Sequence, residues 1–285
     1  MAMPNLITID ENDFAKNAAG LTVFWTLSGD VTLQTLADAL TNVGSSATPP
    51  EEPSAVVALH RACDVVAKLY KLKVMPVRRG EYVLTSPPTV EVGADGGKTL
   101  KHAVHVTAKI EHGAPVVEGE GVEQIRAAFQ AARATLAPAD IGTWLCDKLR
   151  ALKAIPLRDR GGVYFVPADL RVKWQKVATA LGTCSAHKIH TLPTMKSADA
   201  IDAILAALTQ DTRSTIDDID EEIRGAALGT RALAGREKLA RELRERVAHY
   251  ETLLGVKLGE LRASLDEVDG AIAAAVMTAS SSDGQ

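Results

Sequence analysis

A glycine-rich stretch in the middle of the chain comes close to a phosphate-binding loop. Residues 92–99 read V-G-A-D-G-G-K-T, whereas that loop has the pattern G-x-x-x-x-G-K-[ST] between a strand and a helix. In such a loop, backbone N–H groups and the helix N-terminus surround the phosphates. Val92 stands where the first glycine belongs, and the residues after Thr99 alternate as in a strand. The stretch therefore predicts a hairpin turn and no nucleotide cofactor.

The histidines and acidic side chains lack the spacing of a metal site. His102 and His105 are three residues apart in a predicted strand, as are His187 and His190, and this spacing puts the rings of each pair on opposite faces. The acidic run at 217–222 belongs to an amphipathic helix, so its carboxylates are predicted to face solvent. There is also no G-x-S-x-G elbow and no cysteine in a hydrolase-like setting. The sequence therefore predicts no metal, no cofactor and no enzymatic activity.

Basic side chains are concentrated in two parts of the chain, each of which predicts a helix followed by a β-hairpin. Residues 60–82 hold six basic and two acidic groups, and residues 146–176 hold eight basic and three acidic groups. A winged helix presents a basic helix and hairpin to nucleic acid in this way, and phosphate contacts supply most of its affinity. The net charge of −4 argues against a dedicated binder, although residues 1–196 alone carry +3. The candidate nucleic-acid contacts are Lys71, Arg78, Arg79, Arg158, Arg160 and Lys173.

Local patterns predict the elements that would position these groups. Apolar residues at helical spacing predict a helix within 54–73, and residues 75–86 predict a hairpin that turns near Gly80. Further strands are predicted at 21–28, 89–92, 99–112 and 186–192, helices at 122–135, 139–153 and 169–181, and a second hairpin at 155–167.

The two helix–hairpin segments are similar enough to suggest an internal duplication, about 54–92 and 139–167. Both contain Cys-Asp, a basic helix, an apolar residue before proline, a glycine turn, and a tyrosine followed by apolar residues. The spacing from cysteine to proline is 13 in the first and 10 in the second, a difference of nearly one helical turn. Duplication and chance similarity both stay open.

The last third of the chain carries an apolar stripe that repeats every eleven residues. Eleven residues in three turns match an almost straight α-helix, so the stripe follows one helix face. We predict a helix over about 197–224, a second over about 230–278, and a disordered tail at 279–285. Because the first helix is too short to cover the second, part of the stripe is predicted to pack on the globular part or on another subunit. The predicted oligomer interface consists of Leu239, Leu243, Tyr250, Leu254, Leu258, Leu261, Leu265 and Ile272.

The segment 160–170, R-G-G-V-Y-F-V-P-A-D-L, is followed by further helices and a long charged C-terminal helix. In these features the chain resembles uncharacterised proteins encoded by phages and mobile elements. The resemblance implies a phage or host-interaction role and brings no catalytic residues.

Together these patterns predict an α+β protein. Residues 1–196 form a globular domain with helix–β-hairpin units, and residues 197–278 form a long, coiled-coil-like antiparallel helical hairpin. No apolar run is long enough for a membrane span and no signal peptide is recognisable, so we expect a cytoplasmic protein with free thiols and no membrane partner. The leading hypothesis is a non-enzymatic, homo-oligomeric protein-binding or scaffolding protein that acts on a host factor. The alternatives are a nucleic-acid-binding protein that uses the helix–hairpin units and an enzyme without recognisable local motifs.

Overall fold

The chain forms an α+β structure that divides into two compact units. The computed structural model describes residues 17–92, 98–158, 161–225 and 228–282. Unit 1 contains the residues up to Thr26, residues 146–178, and the residues from Lys188 onward; unit 2 contains residues 27–145 and 179–187. Unit 1 is thus assembled from both ends and the middle of the chain, so the division does not coincide with the boundary predicted at residue 196.

Short strands and longer helices share the first two thirds of the chain, and the last third is helical. In chain order, the strands are β1 (Ala18–Thr26), β2 (Val31–Thr32), β3 (Lys73–Arg78), β4 (Glu81–Thr85), β5 (Thr89–Val92), β6 (Lys98–Lys101), β7 (Val104–Glu111), β8 (Ala114–Gly119), β9 (Thr135–Leu136), β10 (Ile155–Pro156), β11 (Tyr164–Pro167) and β12 (Lys188–Met195). The α-helices are α1 (Leu33–Asn42), α2 (Ala55–Tyr70), α3 (Val122–Ala134), α4 (Pro138–Ala151), α5 (Arg171–Cys184), α6 (Ala198–Gly225), α7 (Thr230–Leu254) and α8 (Gly259–Ser282).

Unit 2 is built on an antiparallel sheet in the order β3-β4-β7-β8, with α2 and α3 packed on one face. The hydroxyl of Ser54 caps α2 by accepting a hydrogen bond from the Val57 N–H, and Lys71 ends the helix in the left-handed conformation with φ 56°. The alternation of β4, β7 and β8 turns one set of apolar side chains toward the helices. The buried core consists of Ala58, Leu59, Ala62, Cys63, Val66, Ala67, Tyr82, Leu84, Val106, Ala108, Val117, Ile125 and Phe129.

Unit 1 is built on a second antiparallel sheet, in the order β10-β11-β1-β12. The N-terminal strand β1 pairs with β11 on one side and β12 on the other. A Cβ atom on Gly20 would lie 2.2 Å from the carbonyl oxygen of Val166 and 2.6 Å from the Phe165 ring. Only glycine therefore lets β1 lie this close to β11.

The two hairpins, β3–β4 and β10–β11, have the same cross-strand register around a proline and a tyrosine. Pro76 lies opposite Tyr82 in unit 2, and Pro156 lies opposite Tyr164 in unit 1. In both units the second strand of the hairpin then pairs antiparallel with a further strand, β7 or β1. The helix followed by a hairpin is therefore used twice, as predicted; common ancestry of the two segments stays a prediction.

The C-terminal helices α6, α7 and α8 pack on one another as a three-helix bundle. The ion pairs Arg246–Asp211 and Arg236–Glu222, both 2.5 Å between nitrogen and oxygen, show that α6 and α7 run antiparallel. This confirms the α+β class and the C-terminal helical hairpin.

One helix predicted over 230–278 is instead two. Gly255, with φ 70°, caps α7 in the left-handed conformation, and the chain turns back before α8 begins at Gly259. The helix α8 also continues to Ser282, so residues 279–282 are helical where a disordered tail was predicted; residues 283–285 lie outside the described part of the chain. Gly255 therefore ends the helix at a point where the eleven-residue periodicity predicted that it would continue.

The predicted strand at 99–112 is also divided, into β6 and β7. The strands β5 and β6 pair antiparallel beside the loop-like glycine stretch, as a hairpin requires. Its turn residues 93–97 lie outside the described residues.

Within the described ranges, no helix is both long enough and apolar enough to cross a membrane.

Candidate interaction surfaces

The residues predicted to form an oligomer interface lie mainly inside unit 1 itself. Leu243, Tyr250, Leu261, Leu265 and Ile272 are buried, whereas Leu239, Leu254 and Leu258 are half-buried. Leu243 packs with Leu261, Leu265 and Ile272 in the core of the bundle, together with Ile216 and Ile219 of α6. Because α8 folds back over α7, the stripe is covered within the chain and no longer requires a second subunit. Homo-oligomerisation stays a prediction, which light scattering of the purified chain can test.

Tyr250 joins the bundle to the sheet of unit 1. Its hydroxyl donates a hydrogen bond to the carbonyl oxygen of Lys153 at 3.0 Å, and its ring lies 6.1 Å from that of Phe165. Burial raises the pKa of Tyr250 well above its usual range. This stripe residue is therefore a neutral structural anchor, packed with Ile155, Ile204 and Leu208.

The predicted nucleic-acid contacts are divided between the two units. Lys71, Arg78 and Arg79 are exposed at the end of α2 and along the β3–β4 hairpin in unit 2, where the Arg78 guanidinium pairs with Glu81. Arg158 and Lys173 are exposed in unit 1, and Arg160 lies outside the described residues. Each described member is accessible to solvent, but exposure does not identify a ligand.

In both helix–hairpin segments a cysteine lies near the tyrosine of the hairpin. In unit 1 the Cys146 sulfur and the Tyr164 hydroxyl are 3.3 Å apart, and burial followed by this hydrogen bond raises the pKa of Tyr164 to about 12. In unit 2, burial and then the charge of Asp64 raise the pKa of Cys63 to about 12. The pKa of Tyr82 is also raised, first by burial and then by Cys63 and Asp64. Cys63 and both tyrosines are therefore protonated at neutral pH, so none of them is an activated nucleophile.

A cleft of about 700 Å³ lies within unit 1, lined by parts of α4, α6 and α7 and by Lys153. Its charged groups largely pair with one another or with their neighbours: Arg246 with Asp211 at 2.5 Å, and Arg150 with Asp147 at 2.9 Å. Pairs of this kind hold the helices that line the cleft in place. Among the described residues, no three His, Cys, Asp or Glu side chains are grouped as metal ligands.

The outer face of α2 exposes apolar side chains that the sequence reasoning did not single out. Val65 is 57% exposed and Leu69 is 67% exposed, and they are neighbours one helical turn apart. Tyr70, an apolar position at the helical spacing that predicted α2, is 49% exposed. The signal was present in the sequence, because both Val65 and Leu69 are large apolar residues that lie off the buried row of Leu59, Cys63 and Val66. We refer to Val65, Leu69 and Tyr70 as the α2 patch.

Neither the curated proteins nor the solved structures contain a match to this chain. A family model described as a family of unknown function, DUF6744, matches residues 19–281, which include both units. The chain therefore belongs to the DUF6744 family.

Proposed function

We propose that the protein is a non-enzymatic protein-binding protein and that the α2 patch is its contact surface. The exposure of Val65 and Leu69 on adjacent turns is the observation that carries this proposal. Scattered exposed apolar residues are ordinary, but large apolar side chains that adjoin one another commonly mark an interaction site. Burial of one such side chain contributes about 1.5–3 kcal/mol, so two neighbours could form the centre of an interface.

The charges around the α2 patch indicate the chemistry of the partner. Lys68, Lys71 and Lys73 are exposed beside it, and no ion pair among the described residues involves them. A partner surface with an apolar groove bordered by carboxylates would complement this arrangement, with the lysines increasing the rate of association and fixing orientation. The resemblance to phage and mobile-element proteins favours a cytoplasmic host protein as that partner.

The test is a comparison of two double variants of the tagged full chain. Val65→Asp with Leu69→Asp places carboxylates in the α2 patch, and we expect it to lose a host protein that the unaltered chain captures. A partner identified by mass spectrometry is then purified, and its affinity for each variant is measured by calorimetry. Loss of the two apolar contacts should weaken binding by at least about a hundredfold.

Val172→Asp with Met277→Asp is the matched control, because these side chains are 55% and 73% exposed and lie outside the α2 patch. It introduces the same two charges and should leave binding unchanged. Equal loss of affinity in both double variants, or undiminished affinity in the α2 variant, would contradict the proposal. Circular dichroism of both variants excludes unfolding as the cause.

A further inference from the structure

One face of strand β12 carries an alternating row of basic, aromatic, apolar and hydroxyl side chains. Lys188, His190, Leu192 and Thr194 are two residues apart and therefore share a face. The strand β12 is at the edge of its sheet, and Phe24 of β1 lies opposite His190. Leu192 is 54% exposed and Lys188 is exposed, while the Phe24 and His190 rings are half-buried. The outer edge of this face, at Lys188 and Leu192, is accordingly open to solvent.

The Phe24 and His190 rings form a stacked pair on that face. Their centroids are 4.8 Å apart and their planes differ by 18°. Farther along the same face, the hydroxyls of Thr22 and Thr194 are 2.8 Å apart and hydrogen-bonded. Aromatic side chains on an open antiparallel sheet are a common support for unstacked bases, and each base–ring stack is nearly independent of sequence.

Positive charge lies at both ends of the row. Lys188 begins β12 and Lys196 follows its last residue, and both are exposed. None of the ion pairs formed by the described residues involves either lysine. At about 3.3 Å per residue the two lysines are separated by roughly 26 Å along the strand, a length that suits a short single strand lying across the rings. The lysines favour an anionic, aromatic ligand over an apolar protein surface.

We propose that this face, formed by Phe24, Lys188, His190 and Leu192, binds single-stranded nucleic acid. Bases stack on the outward faces of this ring pair, and Lys188 contacts phosphate. These residues differ from the winged-helix contacts predicted on the helix–hairpin units. They also belong to unit 1, whereas the α2 patch belongs to unit 2, so this activity and the proposed protein binding can be lost separately.

The test measures fluorescence anisotropy of labelled oligo(dT) and oligo(rU) with the full chain at low salt. Phe24→Leu keeps an apolar side chain but removes the ring, and we expect it to weaken binding by about tenfold. Lys188→Gln should reduce the slope of log affinity against log salt by about 0.7, the value for one phosphate contact on a single strand. Lys257→Gln, an equal change of charge at an exposed site between α7 and α8, is the matched control and should change neither affinity nor slope.

Absence of binding to both oligonucleotides would overturn the proposal, as would equal losses in Lys188→Gln and Lys257→Gln. Equally tight binding of a duplex would show that the rings do not select unstacked bases and would also overturn it. If the oligonucleotides do not bind but Phe24→Leu and Lys188→Gln abolish binding of a purified protein, the face is a protein-docking surface instead. Thermal unfolding shows whether Phe24→Leu is folded. If Phe24→Leu is unstable, Lys188→Gln, which changes an exposed side chain, tests the proposal in its place. Val65→Asp with Leu69→Asp should leave oligonucleotide binding intact.

Discussion

The hairpins of units 1 and 2 share a proline–tyrosine register, yet the residue after the tyrosine has opposite surroundings in the two units. Phe165 is fully buried beneath the C-terminal helices, where it packs with Ile204, Leu208 and Tyr250. Val83, at the same position of the other hairpin, is half-buried on the sheet face opposite α2 and α3. Similar local sequence therefore produced the same hairpin in each unit, and the helices available to each unit decided which faces became core.

The helices that precede the hairpins differ in the same way. When Cys63 is aligned with Cys146, Val65 corresponds to Lys148, which is half-buried. Leu69 then corresponds to Leu152, which is only 9% exposed. Unit 1 thus has a charge or a covered leucine where unit 2 exposes apolar side chains. The α2 patch is for this reason not a property of the helix–hairpin arrangement itself, as we expect if it serves the proposed protein contact.

The largest expected effect compares the two residues that follow the hairpin tyrosines. Phe165→Ala should reduce the free energy of unfolding by about 3–5 kcal/mol, because it leaves a cavity under the bundle. Val83→Ala should reduce it by about 1 kcal/mol or less, since its side chain is already partly solvated. Urea denaturation measures the loss of unfolding free energy in each variant, and hydrogen exchange shows whether the loss belongs to unit 1 or unit 2. Equal losses would show that the two sheet faces are covered to the same extent in solution.

A smaller difference is expected for the tyrosines themselves. The Tyr164 hydroxyl is hydrogen-bonded to the Cys146 sulfur, so Tyr164→Phe should reduce stability by about 1 kcal/mol. The Tyr82 hydroxyl has no hydrogen-bond partner among the described side chains and backbone groups, so Tyr82→Phe should change stability by less than about 0.5 kcal/mol. A double variant that combines Tyr164→Phe with Cys146→Ala separates the contribution of the hydrogen bond from the effect of removing the hydroxyl itself. Additive effects of Tyr164→Phe and Cys146→Ala would mean that the two groups do not interact.

Local pattern was sufficient for most of the helices and for both hairpins. Period-two alternation and glycine turns placed β3, β4, β10 and β11 close to their observed positions, because strand and turn preferences act over a few residues. The sequence could not show that β1, at the start of the chain, would pair with β11 and β12. That pairing depends on contacts between residues far apart in the chain, which periodicity does not record.

The bundle shows how one residue can alter a functional inference. The part of the stripe that the first helix cannot cover was predicted to pack on the globular part or on another subunit, but Gly255 lets the chain itself supply the covering helix as α8. The α2 patch was missed for a related reason: a second apolar row on a helix predicts burial or binding equally well until the neighbouring elements are known. The residues were visible in the sequence, whereas their exposure was not.

The smallest expected difference between the units is their response to mild acid. His187 of unit 2 is 4% exposed, and its Nδ1 accepts a hydrogen bond from the Ser28 N–H at 3.0 Å. Burial lowers the pKa of His187 below its ordinary value of 6.5, and Asp30 opposes this shift only in part. Since the unfolded chain takes up the proton at higher pH than the folded chain, this histidine supports stability fully above pH 6.5. That support is lost as the pH falls from 6.5 through the lowered pKa of the folded state.

His187→Asn offers an amide oxygen to the same N–H without a titratable ring, so it should flatten the dependence of unit 2 stability on pH. Hydrogen exchange of the Ser28 amide, measured across this pH range, reports the effect directly. His190→Asn in unit 1 is the matched control and should leave that pH dependence in place. If exchange at Ser28 accelerates in acid to the same extent with and without His187, protonation at another site must open unit 2.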